Sequence, residues 1–175
     1  MLNRDLNFYK KNGYKRINNL ISIEYCNELK DWLSKNKLVS NDSELEPIDN
    51  NILYCQTELF SNNSPFLEFE NNSKITSIVN HLLEENSKLF LIKVNFKHSW
   101  VGQVEYFHQD FSYFENYGLS SNDVITCMIS LDEQNNKNGC LQFFPKSHLE
   151  GFLKHQSVLN INSLHKYTLA GETLD

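Results

Sequence analysis

Arginine is nearly missing from this chain. Of 175 residues only Arg4 and Arg16 are arginines, both close to the start, so a buried anion further along must be met by lysine, hydroxyls or backbone amides. The 16 Lys+Arg stand against 22 Asp+Glu, a formal charge of -6, which leaves no broad positive field to attract a phosphate backbone. Nucleic acid is not an expected partner. Cysteine is sparse too: Cys26, Cys55, Cys127 and Cys140 form no CxxC pair, and the opening MLNRDLNFYKKNGYK lacks the apolar core of a signal peptide. A reducing cytoplasm is the expected compartment. Apolar runs fall short of the roughly 18 to 20 residues that span a bilayer, the longest being broken by Lys88, Lys93 and Asn95. A soluble chain without a membrane partner is expected.

What the chain does have is aromatic bulk. Phe numbers 12 and Tyr 8, and hydrophobic residues make up 40%, which is too much core-forming material for a disordered segment. The length suits one domain over 1–175. Asp5 to Gly13 reads as a short helix stopped by Asn12-Gly13, with an extended Tyr14-Lys15-Arg16-Ile17 after it. Ser22 is placed to cap a second helix, along which Ile23, Cys26, Leu29, Trp32 and Leu33 recur at helical spacing through Lys35. Residues 36–51 read as a loop and Ile52 to Thr57 as a strand. Ser73 is placed to cap a further helix with Ile75, Ile78, Val79, Leu82 and Leu83 on one face.

From Leu89 the pattern changes. Leu89 to Phe96 and Asp123 to Leu131 are predicted strands, rich in alternating or β-branched residues. Asn135-Asn136-Lys137-Asn138-Gly139 is a turn cluster, with Cys140 to Phe144 as the return strand of a hairpin. Helices first and strands later predict an α+β fold with a mainly antiparallel sheet or barrel.

The stretch most suggestive of chemistry is Tyr106-Phe107-His108-Gln109-Asp110-Phe111-Ser112-Tyr113. In extended chain, positions i and i+2 point the same way, so the His108 imidazole and the Asp110 carboxylate converge on one cation. A His and a carboxylate are two of the three ligands of the facial triad that leaves open positions on non-haem Fe(II). The pair alone is a weak signal, since a neighbouring His and Asp commonly just share a hydrogen bond. The surrounding Tyr106, Phe107, Phe111, Tyr113 and Phe114 suit a dry pocket, and equally an ordinary core.

Three blocks together widen the match. Phe107-His108-Gln109-Asp110 with Tyr113, the strand Val124 to Asp132, and Asn138-Gly139-Cys140-Leu141 through Pro145-Lys146-Ser147-His148 occur in this order. In that order and spacing the sequence resembles the phytanoyl-CoA dioxygenase family of Fe(II)/2-oxoglutarate oxygenases, as does the opening Phe8 to Tyr14 with the helix from Ser22. The resemblance implies a double-stranded β-helix, or jelly-roll, core of cupin-like form preceded by N-terminal helices. It implies His108 and Asp110 as metal ligands, Fe(II) as the metal and 2-oxoglutarate as cosubstrate, with Gln56, Lys93 and Met128 near the cosubstrate. Phe111 and Tyr113 would wall the substrate pocket. The implied reaction is dioxygen-dependent hydroxylation of a small organic molecule, coupled to decarboxylation of 2-oxoglutarate to succinate.

Two departures from the family pattern matter. Lys146 stands where the family usually has glycine, an exchange expected to be tolerated if the backbone there does not need positive φ. The family's distal third-ligand His and the Arg that follows it have no counterpart before Asp175, so the chain is expected to be a C-terminally truncated fragment lacking its third metal ligand. His148, His155 and His165 are the only later histidines, and each reads more simply as a surface or locally bonded imidazole. The chain as given is itself expected to be catalytically inactive, an inactive fragment being the first alternative to the oxygenase; the others are a metal-free binding module of the same fold and a cupin-like metal isomerase or hydrolase. Substrate and oligomeric state are not encoded in any motif.

Overall fold

The computed structural model describes residues 2–36, 52–53, 64–95, 107–153, 155–157 and 167–169. Helix α1 (Leu2–Asn12) ends where Gly13 turns left-handed at φ 80°, its N–H closing on Tyr9 O at 2.7 Å, as the Asn-Gly stop predicts. Helix α2 (Ile23–Lys35) begins at Ser22, whose Oγ accepts from Tyr25 N at 3.1 Å. Its buried face is Cys26, Leu29 and Leu33, whereas Ile23, predicted on that face, lies 74% exposed in the first turn.

Strand β1 (Ile52–Leu53) is followed by the short helix α3 (Glu68–Asn71) and then α4 (Ser73–Leu83). The cap of α4 is Asn72 rather than Ser73: Asn72 Oδ1 accepts from Lys74 N and Ile75 N, both at 3.1 Å. In a tandem of two good cap residues, the one with extended backbone wins. The predicted apolar face of α4, with Ile75, Val79 and Leu82, is half-buried. Helices α1 and α4 pack together, and Lys10 pairs with Glu84 where α4 ends.

The core gathers around α2. Leu29, Leu33, Phe66 and Val94 are buried together, with Tyr25, Trp32, Phe69, Ile92 and Leu131 packed on them. The Trp32 and Phe66 rings meet edge-on at 5.8 Å, and the Tyr25 hydroxyl donates to Pro65 O at 2.7 Å. Burial, with Glu68 and Glu28 nearby, pushes the Tyr25 phenol up to about 12, so it stays protonated as the donor. Val94 thus fixes the segment that leads toward the site, and Leu131 fixes the segment that leaves it.

The sheet prediction needs correction. The described residues form two antiparallel pairs, β1 with β2 (Val94–Asn95) and β3 (His155–Ser157) with β4 (Tyr167–Leu169). Leu53 stands opposite Val94, and Gln156 opposite Thr168. Of the strand predicted over Leu89 to Phe96, Phe96 lies outside the described residues and among 89–95 Val94–Asn95 is laddered, while 124–130 and 140–144 carry no ladder. The jelly-roll core is therefore not formed among the described residues. Alternation prescribes a pleat, but a strand exists only when a partner takes up its N–H and C=O groups. Met128 is 45% and Phe143 54% exposed. The turn between the latter two segments is formed: Asn138 N donates to Asn135 O, and the Asn138 side chain bonds Asn135 N and Glu133 O. Among the described residues no helix is long and apolar enough to cross a membrane.

Candidate metal centre

Extended backbone at Gln109, φ -99° and ψ 124°, sets His108 and Asp110 on one side of the chain. Immediately afterwards Asp110–Tyr113 turn into a short 3-10 helix, with the Ser112 amide and hydroxyl both donating to Gln109 O. The result is a close pair: His108 Nε2 lies 3.1 Å from Asp110 Oδ1, with the side chains 25% and 32% exposed. The second carboxylate oxygen, Oδ2, accepts a 2.6 Å hydrogen bond from Thr126 Oγ1.

These contacts hold Asp110 at about 2. The His108 hydrogen bond is the largest cause; burial opposes it, while the Thr126 hydroxyl and the Lys93 charge add to it. The carboxylate is therefore ionised at any physiological pH, as a cation ligand must be. Among the described residues no third His, Cys, Asp or Glu joins the pair.

Other predicted site residues lie at varying distance from this pair. Tyr113 sets its ring edge-on to His108 at 5.7 Å, and Phe111 packs edge-on against Phe152 at 5.3 Å. Lys93 is half-buried and acts on Asp110 through its charge. Met128 is exposed two residues beyond Thr126, with no contact to Asp110 described. Gln56 and His165 lie outside the described residues, and of His155 only the backbone is described.

Two partners escaped the sequence reading. Thr126 was legible only as one polar residue in a β-branched run. Gln109 spans 42 residues to clamp the chain after the Pro145-Lys146-Ser147-His148 loop: its Nε2 donates to Gly151 O and its Oε1 accepts from Leu153 N, each at 2.8 Å. Its position between His108 and Asp110 was the only clue.

The loop itself docks on the end of α1. Lys146 N donates to Asn12 O at 3.0 Å, and His148 Nε2 lies 2.9 Å from Lys10 O. His148 is thus a bonded imidazole, with a partner 138 residues away and not a local one. Together Gly13, Tyr14, His108, Phe143, Phe144 and His148 line much of a small cleft of about 100 Å³, in which Tyr14 and Phe143 stack at 4.9 Å.

The tolerance expected at Lys146 holds only for a backbone without positive φ, and that condition is not met, since the backbone is left-handed at φ 74°. A Cβ in that region costs about 1–2 kcal/mol. Lys146→Gly is accordingly expected to stabilise the chain by about 1 kcal/mol, measured as a rise in urea midpoint at unchanged m-value.

A probable alpha-ketoglutarate-dependent hypophosphite dioxygenase of Stutzerimonas stutzeri is 27% identical over 86% of this chain and 54% of its own length. A 2-aminoethylphosphonate dioxygenase from an uncultured bacterium, HF130_AEPn_1, is 27% identical over 77% of this chain and 53% of its own. The chain thus spans about half the length of these curated relatives. No solved structure matches. The family model for phytanoyl-CoA dioxygenase (PhyH) matches residues 9–165, a span that takes in α1 from Tyr9, the His108-Asp110 pair and the docked loop, and the chain belongs to that family.

Proposed function

We propose that this chain carries the metal-binding half of an Fe(II)- and 2-oxoglutarate-dependent dioxygenase, with His108 and Asp110 as protein ligands. The observation that carries the reading is the convergent pair itself: an imidazole nitrogen and an ionised carboxylate 3.1 Å apart, half-buried, inside a chain of this family. Nitrogen and carboxylate oxygen are the donor set non-haem iron takes. Bound Fe(II) supplies the positions where 2-oxoglutarate and dioxygen meet and the electrons that activate dioxygen. In the balanced reaction 2-oxoglutarate, dioxygen and R–H give succinate, carbon dioxide and R–OH.

The chain's own residues bind, orient and exclude water. Asp110 brings the negative charge that retains the cation. Lys93, whose charge already bears on Asp110, is the proposed counter-charge for a 2-oxoglutarate carboxylate, with Gln56 and Met128 as the other proposed cosubstrate contacts. Phe111 and Tyr113 are the proposed apolar wall, and the Tyr113 ring edge on His108 limits that imidazole's rotation. Both named relatives act on small phosphorus compounds, so hypophosphite and 2-aminoethylphosphonate are the first substrates to offer.

One observation favours a second reading, a metal-free module of the same fold: the described residues hold two candidate ligands and not three. The two readings separate in one assay. Fe(II) taken up by the folded chain, and held more tightly when 2-oxoglutarate is added, supports the oxygenase. A folded chain that takes up no Fe(II) supports the module.

A further inference from the structure

We propose that Thr126 is a positioning residue that fixes which oxygen of Asp110 is offered to the metal; this rests on the reading of His108 and Asp110 as ligands. The two oxygens of Asp110 have different neighbours: Oδ1 faces His108 Nε2 at 3.1 Å, whereas Oδ2 is engaged by Thr126 Oγ1 at 2.6 Å. A bond that short is typical of a hydroxyl donating to an ionised carboxylate. With Oδ2 engaged, the carboxylate presents Oδ1 alone toward His108, and rotation about the bond to its carboxyl carbon would break the Thr126 bond. One oxygen per carboxylate leaves more coordination positions for cosubstrate and dioxygen than two would.

The sequence places the donor well. Thr126 sits in the segment between the Ser120 to Asp123 capping box and the core residue Leu131, so both ends of the segment that carries it are pinned. Its own side chain is otherwise exposed, which makes a role in packing a poor explanation for its place. Outer partners of this kind typically change metal affinity by about 10- to 100-fold when removed.

The test uses Co(II), a spectroscopic probe for the site, on the wild type and on Thr126→Val, Thr126→Ser and Asp110→Ala. Thr126→Val is expected to bind Co(II) at least about 10-fold more weakly and with an altered visible spectrum, at an unchanged thermal midpoint. Thr126→Ser, which restores the hydroxyl, is expected within about threefold of wild type. If Thr126→Val binds like wild type while Asp110→Ala loses binding, the positioning role is overturned and the ligand reading stands. If Asp110→Ala binds like wild type, or the wild type takes up no Co(II), the ligand reading fails and the role of Thr126 goes with it. Equal weakening in the Val and Ser variants would also overturn the proposal, since the hydroxyl would then not be what matters.

Discussion

Replacing Asp110 with alanine is expected to lower Fe(II) affinity by about 100-fold or more, beyond what loss of an outer partner does. The change removes the negative charge that Asp110 brings to His108, and it takes away the acceptor of the Thr126 Oγ1 hydrogen bond. Because Asp110 is only half-buried and heads a one-turn helix rather than sitting in the α2 core, the far-ultraviolet spectrum should be retained. Isothermal titration with Fe(II) under argon, beside the far-ultraviolet spectrum, measures the loss and checks the fold on one preparation. An Asp110→Ala chain that still binds Fe(II) like wild type would remove Asp110 from the site.

The second large effect lies away from the metal pair. Gly13 holds φ 80°, and a Cβ built there would stand 2.4 Å from His148 Nδ1. Gly13→Ala is therefore penalised twice, once for the left-handed backbone and once because the His148 ring must leave its bond to Lys10 O. Together these are expected to cost about 2–3 kcal/mol of unfolding free energy. In a His148→Ala background the ring is gone and only the backbone penalty of about 1 kcal/mol remains. Urea unfolding of the four proteins of that cycle gives the coupling directly. Additive losses would show that the ring and the glycine are independent, and that the loop is not seated on α1 in the way described.

The two positions also show where sequence reading succeeds and where it stops. Short-range rules were legible: the Asn12-Gly13 stop, the Ser22 cap, the Asn135 to Gly139 turn and the convergence of His108 with Asp110 each depend on a few adjacent residues. At Lys146 the reading stayed conditional on the backbone φ, which no local pattern fixes; the residue is left-handed where it bonds Asn12 O, far away in sequence. Gln109 and Thr126 went unseen for the same reason, since their partners lie 42 and 16 residues off and no local pattern encodes them. The strands predicted over 123–131 and 140–144 failed in another way. Alternation records which faces of a segment want burial, but a ladder also needs a neighbour, and the described residues supply none to these two segments.

The central claim is that the His108-Asp110 pair holds Fe(II) for 2-oxoglutarate chemistry. Its most direct measurement is Fe(II) taken up by the wild-type chain under argon, with and without 2-oxoglutarate, against a chelator-treated control. Uptake that is tightened by 2-oxoglutarate, and that disappears in both His108→Ala and Asp110→Ala, is the predicted result. Folded protein that takes up no Fe(II) above the chelated control, or takes it up equally well without the Asp110 carboxylate, would contradict the account.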